Sequence, residues 1–229
     1  MASNRVVAFS RWAIAATGAV TVAVATYTAQ ASSGRAATED FLSSVTAQTN
    51  ILSVVAFAIA GAHAWRRGGR APGRAGERAQ DVHARRAARV ALMRTVNVAT
   101  LVGMSVLFLG IYGPVVIADP AQLNPTSVLL HVVIPALAVI EWVVFPSESR
   151  AAVRGVLLVM VYPVLWFVFT NVRGAFTGRY VYEFLDPSGS SGVQGAVAMT
   201  VLILASFFLV GVLVFVTQRS RGSRSPTIY

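Results

Sequence analysis

The stretch LLHVVIPALAVIEWVVFP, residues 129–146, decides the fold class of this chain and raises the question of its function. All of its side chains are apolar except those of His131 and Glu141. A run of about 20 apolar residues is long enough to cross the hydrocarbon core of a bilayer as a helix. Because lipid cannot solvate an imidazole or a carboxylate, we expect each to have a polar partner or a function.

Several other stretches have the same length and character. Of the 229 residues, 55% are hydrophobic and 12% are charged, whereas about 25% are charged in an ordinary soluble domain. The long runs lack the alternation of a strand, and a helix satisfies its own backbone in lipid. The sequence therefore predicts an all-α, polytopic membrane domain at residues 1–218, with six transmembrane helices at about residues 8–29, 41–64, 91–117, 127–146, 153–172 and 193–216.

The basic residues lie mainly in alternate connections between these spans. Eight arginines fall in a predicted Arg-rich cytoplasmic loop at residues 65–90, and others precede span one, follow span six or separate spans four and five. By the positive-inside rule, both termini are cytoplasmic in a multi-pass protein of a bacterial-type inner (plasma) membrane. This distribution favours contact with anionic lipid headgroups and argues against a nucleic-acid partner. Residues 219–229 are predicted to form a disordered tail.

The first span also has features of a signal peptide. Arg5 and Arg11 come before or at the start of its apolar run, and AQA at residues 29–31 imitates a cleavage site. Cleavage after Ala31 would leave five spans and an exterior N-terminus. We expect the span to be retained, because its apolar run is longer than the roughly 15 residues of a signal core.

Thr46 and His131 have the same predicted depth in the membrane. Each lies about five residues inside its span from the exterior side, or roughly 7 Å deep at about 1.5 Å per residue. Thr46 belongs to a polar stripe on one face of span two, which also fits ordinary hydrogen bonding between helices: Ser43, Thr46, Asn50 and Ser53.

A threonine hydroxyl becomes a good nucleophile when a neighbouring base takes its proton, and neutral histidine is the usual base near pH 7. Thr46 and His131 are therefore the candidate catalytic pair, provided that spans two and four touch. Thr49 is an alternative nucleophile. Further residues are candidates for stabilising an oxyanion or orienting a substrate: Asn50, Arg173, Tyr162, Tyr180 and Tyr182.

Glu141 follows His131 by ten residues, which places it about 15 Å deeper along the helix. Direct contact between the two side chains is therefore not expected. An ionised carboxylate in the middle of a membrane helix costs roughly 2.5–3.5 kcal/mol, so Glu141 is either paired or protonated. We expect Asn97 or Thr100 of span three to meet it.

Three stretches resemble a known family: FLSSVTAQTNILSVVAFAIAG (41–61), HVVIPALAVIEW (131–142) and YPVLWFVFTNVRG with YVYEFLD (162–174 and 180–186). They are similar to the androgen-induced and androgen-dependent TFPI-regulating proteins, and more closely to bacterial six-span relatives of that family. Members hydrolyse fatty acid esters of hydroxy fatty acids with a threonine and a histidine. The resemblance implies an intramembrane carboxylic ester hydrolase acting on fatty acyl esters, with Thr46 as nucleophile, His131 as base and no metal or organic cofactor.

Two other functions are compatible with the sequence. A lipid-binding or scaffold protein would need only the polar stripe and the Arg-rich loop. A proton-coupled transporter would use His131 and Glu141 as relay groups, although the spans contain no matching pair of broken segments. Substitution of Thr46 separates the hydrolase from both, because only the hydrolase needs its hydroxyl for turnover.

Overall fold

The computed structural model describes residues 3–68, 77–120, 123–146 and 155–222. Within these ranges the chain is all-α, and six of its helices are long and apolar enough to cross a membrane. The predicted six-helix fold is confirmed. We label the helices α1 (Asn4–Ser43), α2 (Val45–Gly68), α3 (Glu77–Ala118), α4 (Pro125–Val144), α5 (Gly155–Thr177) and α6 (Gly192–Gly222).

Three helices extend well beyond the predicted spans. α1 continues to Ser43 through a kink at Gly34, whose φ of 72° is a backbone conformation that glycine adopts without strain. α3 begins at Glu77, so residues 77–90 of the predicted loop are helical. α6 runs to Gly222, so residues 219–222 are helical and not part of a disordered tail. The remainder of that tail lies outside the described residues, as do Arg70, Arg74, Arg150 and Arg154.

The six helices form a bundle with two distinct ends. Near the beginning of α1, Arg5 lies over the ring of Trp65 at the end of α2, and we call this side the N-terminal end. At the opposite side, where α1 meets α2, Trp166 of α5 donates a hydrogen bond to the Ser43 carbonyl at 2.9 Å. We call this the Thr46 end.

The helices pack closely in the middle of the bundle and present apolar side chains outward. Small residues allow the close approach: a Cβ at Gly61 would collide with Trp12, and one at Gly103 would collide with Phe207. The largest fully buried side chains come from α2, α3, α5 and α6: Phe57, Leu101, Met104, Trp166, Phe207 and Phe215. The many exposed Val, Leu and Phe side chains on the outer surface suit a lipid environment.

α4 changes its hydrogen-bonding pattern along its length. Asn124 caps its beginning by accepting the Thr126 amide at 2.9 Å, ahead of the first-turn proline. Leu129–Val133 then form a π-helical turn before the α-helix resumes at Ile134. Pro135 has no amide hydrogen to donate to the carbonyl one turn before it, so regular α-helical bonding is interrupted beside this turn.

Candidate active site

The junction between α1 and α2 places Thr46 in the first turn of a helix. Ser44 is the single non-helical residue there, with φ −69° and ψ 150°. Its hydroxyl oxygen accepts the Ala47 amide at 3.1 Å, which caps α2. The helical ladder begins with the Gln48 amide donating to the Ser44 carbonyl at 3.2 Å. The amides of Val45 and Thr46 precede that ladder, so Thr46 lies at the positive end of the helix dipole.

His131 lies inside the π-helical turn of α4, and its ring is held on two sides. Its Nδ1 is 2.8 Å from the carbonyl oxygen of Ser127, four residues earlier. Because a carbonyl can only accept, Nδ1 carries the proton, and Nε2 of the neutral ring is left as an acceptor. The ring also stacks on Phe108, with centroids 3.7 Å apart and planes inclined by 16°.

Thr46 and His131 meet across the interface between α2 and α4. Thr46 Oγ1 is 3.0 Å from His131 Nε2, and the tautomer set by Ser127 makes the hydroxyl the donor. This distance falls within the range of a nucleophile bonded to its base, about 2.6–3.2 Å. Both residues are buried, with exposed fractions of 8% and 9%. A hydroxyl, an imidazole and a backbone carbonyl therefore form one hydrogen-bonded chain.

Asn50 connects the same two helices one turn further along α2. Its Nδ2 donates to the Thr46 carbonyl at 2.9 Å and to the Leu130 carbonyl at 3.4 Å. The side chain is fully buried, and its Oδ1 has no hydrogen-bond partner among the described residues. Its amide hydrogens are directed to backbone carbonyls, so Asn50 fixes the spacing of the helices that carry the pair.

Tyr182 approaches Thr46 from the segment between α5 and α6. Its ring stacks on Phe184 at 5.1 Å and lies 5.9 Å from Trp166. Its hydroxyl lies near the hydroxyls of Thr46 and Ser44 and near the Thr46 amide, and all three residues line the same cavity. Burial raises the pKa of Tyr182 to about 12, so the hydroxyl remains protonated at neutral pH. It is a permanent hydrogen-bond donor beside the candidate nucleophile.

The pair opens onto a cavity of about 670 Å³ at the Thr46 end of the bundle. Most of the wall is aliphatic or aromatic, with contributions from α1, α3 and α4 such as Ala25, Leu107, Phe108, Ile111, Val115 and Leu130. Polar groups gather around the dyad, where Ser44, Thr46, His131 and Tyr182 all line the wall. An apolar chamber of this size with a few convergent polar groups is typical of a small-molecule site.

Thr49, the alternative nucleophile, lies deeper in α2 and outside this wall. Its hydroxyl donates to the Val45 carbonyl at 2.8 Å and lies 3.1 Å from the Thr46 carbonyl. Its exposed fraction is 1%. The structure brings Thr46, rather than Thr49, into hydrogen-bond contact with His131.

Three more of the predicted side chains also lie outside the cavity wall. Arg173 forms an ion pair with Asp40, which binds Arg179 as well. The Tyr162 hydroxyl lies 3.4 Å from the Val45 carbonyl, and the Tyr180 ring covers Gly174. These residues tie α5 and the following segment to the α1–α2 junction.

Glu141 has partners that the sequence analysis did not predict. Its Oε1 accepts Arg11 Nε at 2.7 Å, and its Oε2 accepts Arg94 Nη2 at 2.7 Å. The expectation of Asn97 or Thr100 was wrong: Asn97 donates to Ser53, and Thr100 donates to the backbone of its own helix. The three charged residues are buried near the N-terminal end of the bundle, with exposed fractions of 3% to 6%.

A signal for this cluster was present in the sequence. Arg11 and Arg94 both fall inside predicted spans, at residues 8–29 and 91–117. A charge inside a span needs a counter-charge. Glu141 is the one carboxylate inside the six predicted spans, so charge balance makes it the expected partner of arginines within the spans, although it does not select Arg11 and Arg94 over Arg154.

The fold defines a multi-pass membrane protein. No family model matches this chain, and neither does any curated protein or any solved structure. In the part of the chain that the structure describes, no group of three or more His, Cys, Asp or Glu residues is placed to hold a metal ion. The dyad and its cavity are therefore the features of the molecule that bear on its activity.

Proposed function

We propose that the protein is an intramembrane hydrolase of lipid carboxylic esters, with Thr46 as nucleophile and His131 as general base. The observation that carries this proposal is the 3.0 Å contact between Thr46 Oγ1 and His131 Nε2 in the wall of an apolar cavity. Nucleophile, base and orienting group are present together, which is the arrangement that covalent catalysis by a hydroxyl requires. Here the orienting group is the Ser127 carbonyl in place of a carboxylate.

In the first half of the reaction, His131 Nε2 takes the Thr46 proton while Oγ1 attacks the ester carbonyl carbon. The carbonyl π bond opens to give a tetrahedral oxyanion. When it collapses, the bond to the alcohol oxygen breaks, and His131 returns the proton to that oxygen. The products are a free alcohol and an acyl ester on Thr46.

In the second half, water takes the place of the alcohol. His131 Nε2 removes a proton from the water as its oxygen attacks the acyl carbon. Collapse of the second oxyanion breaks the bond to Thr46 Oγ1, which regains its proton from His131. The fatty acid leaves, and the dyad returns to its starting protonation state.

The position of Thr46 supplies candidates for stabilising both oxyanions. The Val45 and Thr46 amides precede the helical ladder of α2, and the Tyr182 hydroxyl lies near the Thr46 amide. Fixed donors at a developing negative charge are worth about 2.7–4 kcal/mol each in the best-measured hydrolase. Asn50 and Arg173, candidates from the sequence, instead direct their donors to backbone carbonyls and to Asp40.

The shape of the cavity favours a lipid substrate. Its mainly apolar wall suits an acyl chain, and Thr46, His131 and Tyr182 line the part of the wall where an ester would lie. The resemblance to the androgen-induced and androgen-dependent TFPI-regulating proteins points to the same class, fatty acyl esters. By the positive-inside rule, both termini are cytoplasmic in an inner (plasma) membrane, so Thr46 is near the exterior surface and within reach of water.

A relay between His131 and Glu141, as in a transporter, has weaker support. Both carboxylate oxygens of Glu141 are bonded to arginines, and the cluster lies in the other half of the bundle. A purely lipid-binding protein would use the same cavity but would not need the dyad.

The proposal is tested with a lipase-type fluorophosphonate probe on purified protein. Wild type and Thr49→Ala are expected to become labelled, whereas Thr46→Ala and His131→Ala are not. Thr49→Ala is the matched control, because it removes a buried hydroxyl from the same helix. Thermal unfolding in the same detergent checks that each variant is folded. Labelling that persists in Thr46→Ala, or fails in folded wild type, would refute the assignment.

A further inference from the structure

A second cavity, of about 740 Å³, lies at the N-terminal end of the bundle between the end of α2 and the beginning of α3. Half of its lining residues are basic: His63, Arg66, Arg67, His83 and Arg86. The other half are aliphatic: Ile59, Ala62, Ala84, Ala87 and Val90. We call this cavity the basic groove. It lies at the opposite end of the molecule from Thr46 and takes no part in the reaction proposed above.

Helical spacing explains why the basic side chains converge. His63, Arg66 and Arg67 are separated by three and four residues, so they share one face of α2. His83 and Arg86 are likewise three residues apart on α3. The two arginines of α2 lie in its last turn, where the negative end of the helix dipole favours cations.

The three arginines of the basic groove have no counter-charge within the part of the chain that the structure describes. None of the described residues that line the groove carries a carboxylate. Arg66, Arg67 and Arg86 are exposed, and none of them forms an ion pair with a described residue. This contrasts with Arg11 and Arg94, which are buried against Glu141. Three guanidinium groups thus surround an open space without a counter-ion from the described chain.

We propose that the basic groove binds the phosphate-bearing headgroup of an anionic membrane lipid, with Arg66, Arg67 and Arg86 as the phosphate ligands. Guanidinium groups bind phosphate through paired, charge-assisted hydrogen bonds, and one phosphate can accept from several of them. His63 and His83 add ring nitrogens to the same wall.

The aliphatic half of the basic groove selects a lipid over a soluble phosphate. Ile59 and Val90 lie on the span side of the arginines, and Ile59 is 47% exposed on the outer surface of α2. An acyl chain that leaves the headgroup would lie along this apolar surface. A free phosphate would gain nothing from it.

The test uses full-length protein in neutral detergent and native mass spectrometry to count bound lipid. Phosphatidylglycerol is compared with phosphatidylcholine, which carries the same phosphate but no net charge. Wild type is expected to retain phosphatidylglycerol preferentially. The groove variant Arg66→Gln/Arg67→Gln/Arg86→Gln is expected to lose roughly tenfold or more in affinity, the effect of removing hydrogen bonds to a charged group.

A matched control variant removes the same number of charges outside the basic groove. Arg85, Arg89 and Arg219 are exposed arginines at the same end of the molecule, and none of them lines the cavity. Arg85→Gln/Arg89→Gln/Arg219→Gln should bind phosphatidylglycerol as wild type does. A triple Lys variant at the groove positions keeps the charge but removes the paired donors. Its affinity for phosphatidylglycerol should lie between that of the groove variant and that of wild type.

Three results would overturn the proposal. Wild type that does not distinguish the two lipids has no anionic-headgroup site. Equal losses in the groove and control variants would mean diffuse charge attraction. Full displacement of the lipid by glycerol 3-phosphate at the same concentration would assign the groove to a soluble phosphate ester.

Discussion

His131 has two ring nitrogens, and the fold assigns a different task to each. Nδ1 donates to the Ser127 carbonyl at 2.8 Å, which leaves Nε2 free to accept from Thr46. An orienting carbonyl fixes the tautomer without adding a buried negative charge, which matters in a low-dielectric site. The π-helical turn and the stacked Phe108 ring hold this orientation, and π turns occur frequently at functional sites.

At the residue scale, Tyr182→Phe tests whether the tyrosine hydroxyl stabilises the oxyanion. The substitution keeps the ring that packs on Trp166 and Phe184. With one donor lost, kcat for ester hydrolysis is expected to fall about 100-fold, with little change in KM. Because burial raises the pKa of Tyr182 to about 12, its hydroxyl should cause no loss of wild-type activity as the pH rises to 10.

Tyr180→Phe is the matched control for this experiment. It removes a hydroxyl from the same segment, but its ring covers Gly174 and lies outside the cavity wall. Its kcat should equal that of wild type. Equal activities in the two variants would remove Tyr182 from the mechanism.

At the scale of the elements, the single non-helical residue between α1 and α2 determines where Thr46 lies. The Ser44 side chain bonds both helices, accepting from the Ala47 amide and donating to the Phe41 carbonyl. Loss of a serine cap costs about 1 kcal/mol of stability. For Ser44→Ala we expect this small loss of stability. We also expect a larger loss of kcat, because the turn that positions Thr46 loses the hydrogen bonds that hold it in place.

Ser105→Ala serves as the control for the cap. Ser105 sits inside α3, and its hydroxyl donates to the Leu101 carbonyl of the same helix at 2.9 Å. Thermal unfolding and ester hydrolysis measured on both variants separate the two effects. If Ser44→Ala lowers kcat no more than Ser105→Ala does, the cap contributes stability alone.

The elements also show which features could be predicted from the sequence. The six spans follow from apolar runs, because a membrane helix must be apolar for its whole buried length. The extensions of α1 to Ser43 and of α3 from Glu77 are polar, so an apolar run does not predict them. Thr46 and His131 shared a predicted depth, but their contact depends on which helices are neighbours. Hydropathy does not encode that choice, because helix faces toward lipid and toward protein are both apolar.

At the scale of the whole molecule, the first span is an integral part of the bundle. Arg11 of α1 binds Glu141 of α4 at 2.7 Å and the Ala60 carbonyl of α2 at 3.1 Å. Cleavage after Ala31 would remove both bonds from the buried interior near the N-terminal end of the bundle. We therefore expect the intact mass of protein purified from membranes to include residues 4–31. A mass that corresponds to a chain beginning at Ser32 would contradict this prediction.

The charged cluster of Arg11, Arg94 and Glu141 supports a second prediction at this scale, about stability. Removing the partner of a buried charge costs about 3–5 kcal/mol, because the remaining charge is uncompensated. Glu141→Gln leaves two arginines facing each other and should lower the thermal unfolding midpoint strongly. Arg11→Gln leaves Glu141 bonded to Arg94 and should be milder.

Glu39→Gln is the control, because it removes a carboxylate from an exposed ion pair. Glu39 binds Arg35 one helical turn away, with both side chains well exposed. Such pairs contribute about 0.3–0.5 kcal/mol, so its midpoint should match that of wild type. The expected order of stability is wild type and Glu39→Gln, then Arg11→Gln, then Glu141→Gln. If Glu141→Gln were as stable as Glu39→Gln, the cluster would not hold α1, α3 and α4 together, and the intramembrane carboxylate would need another explanation.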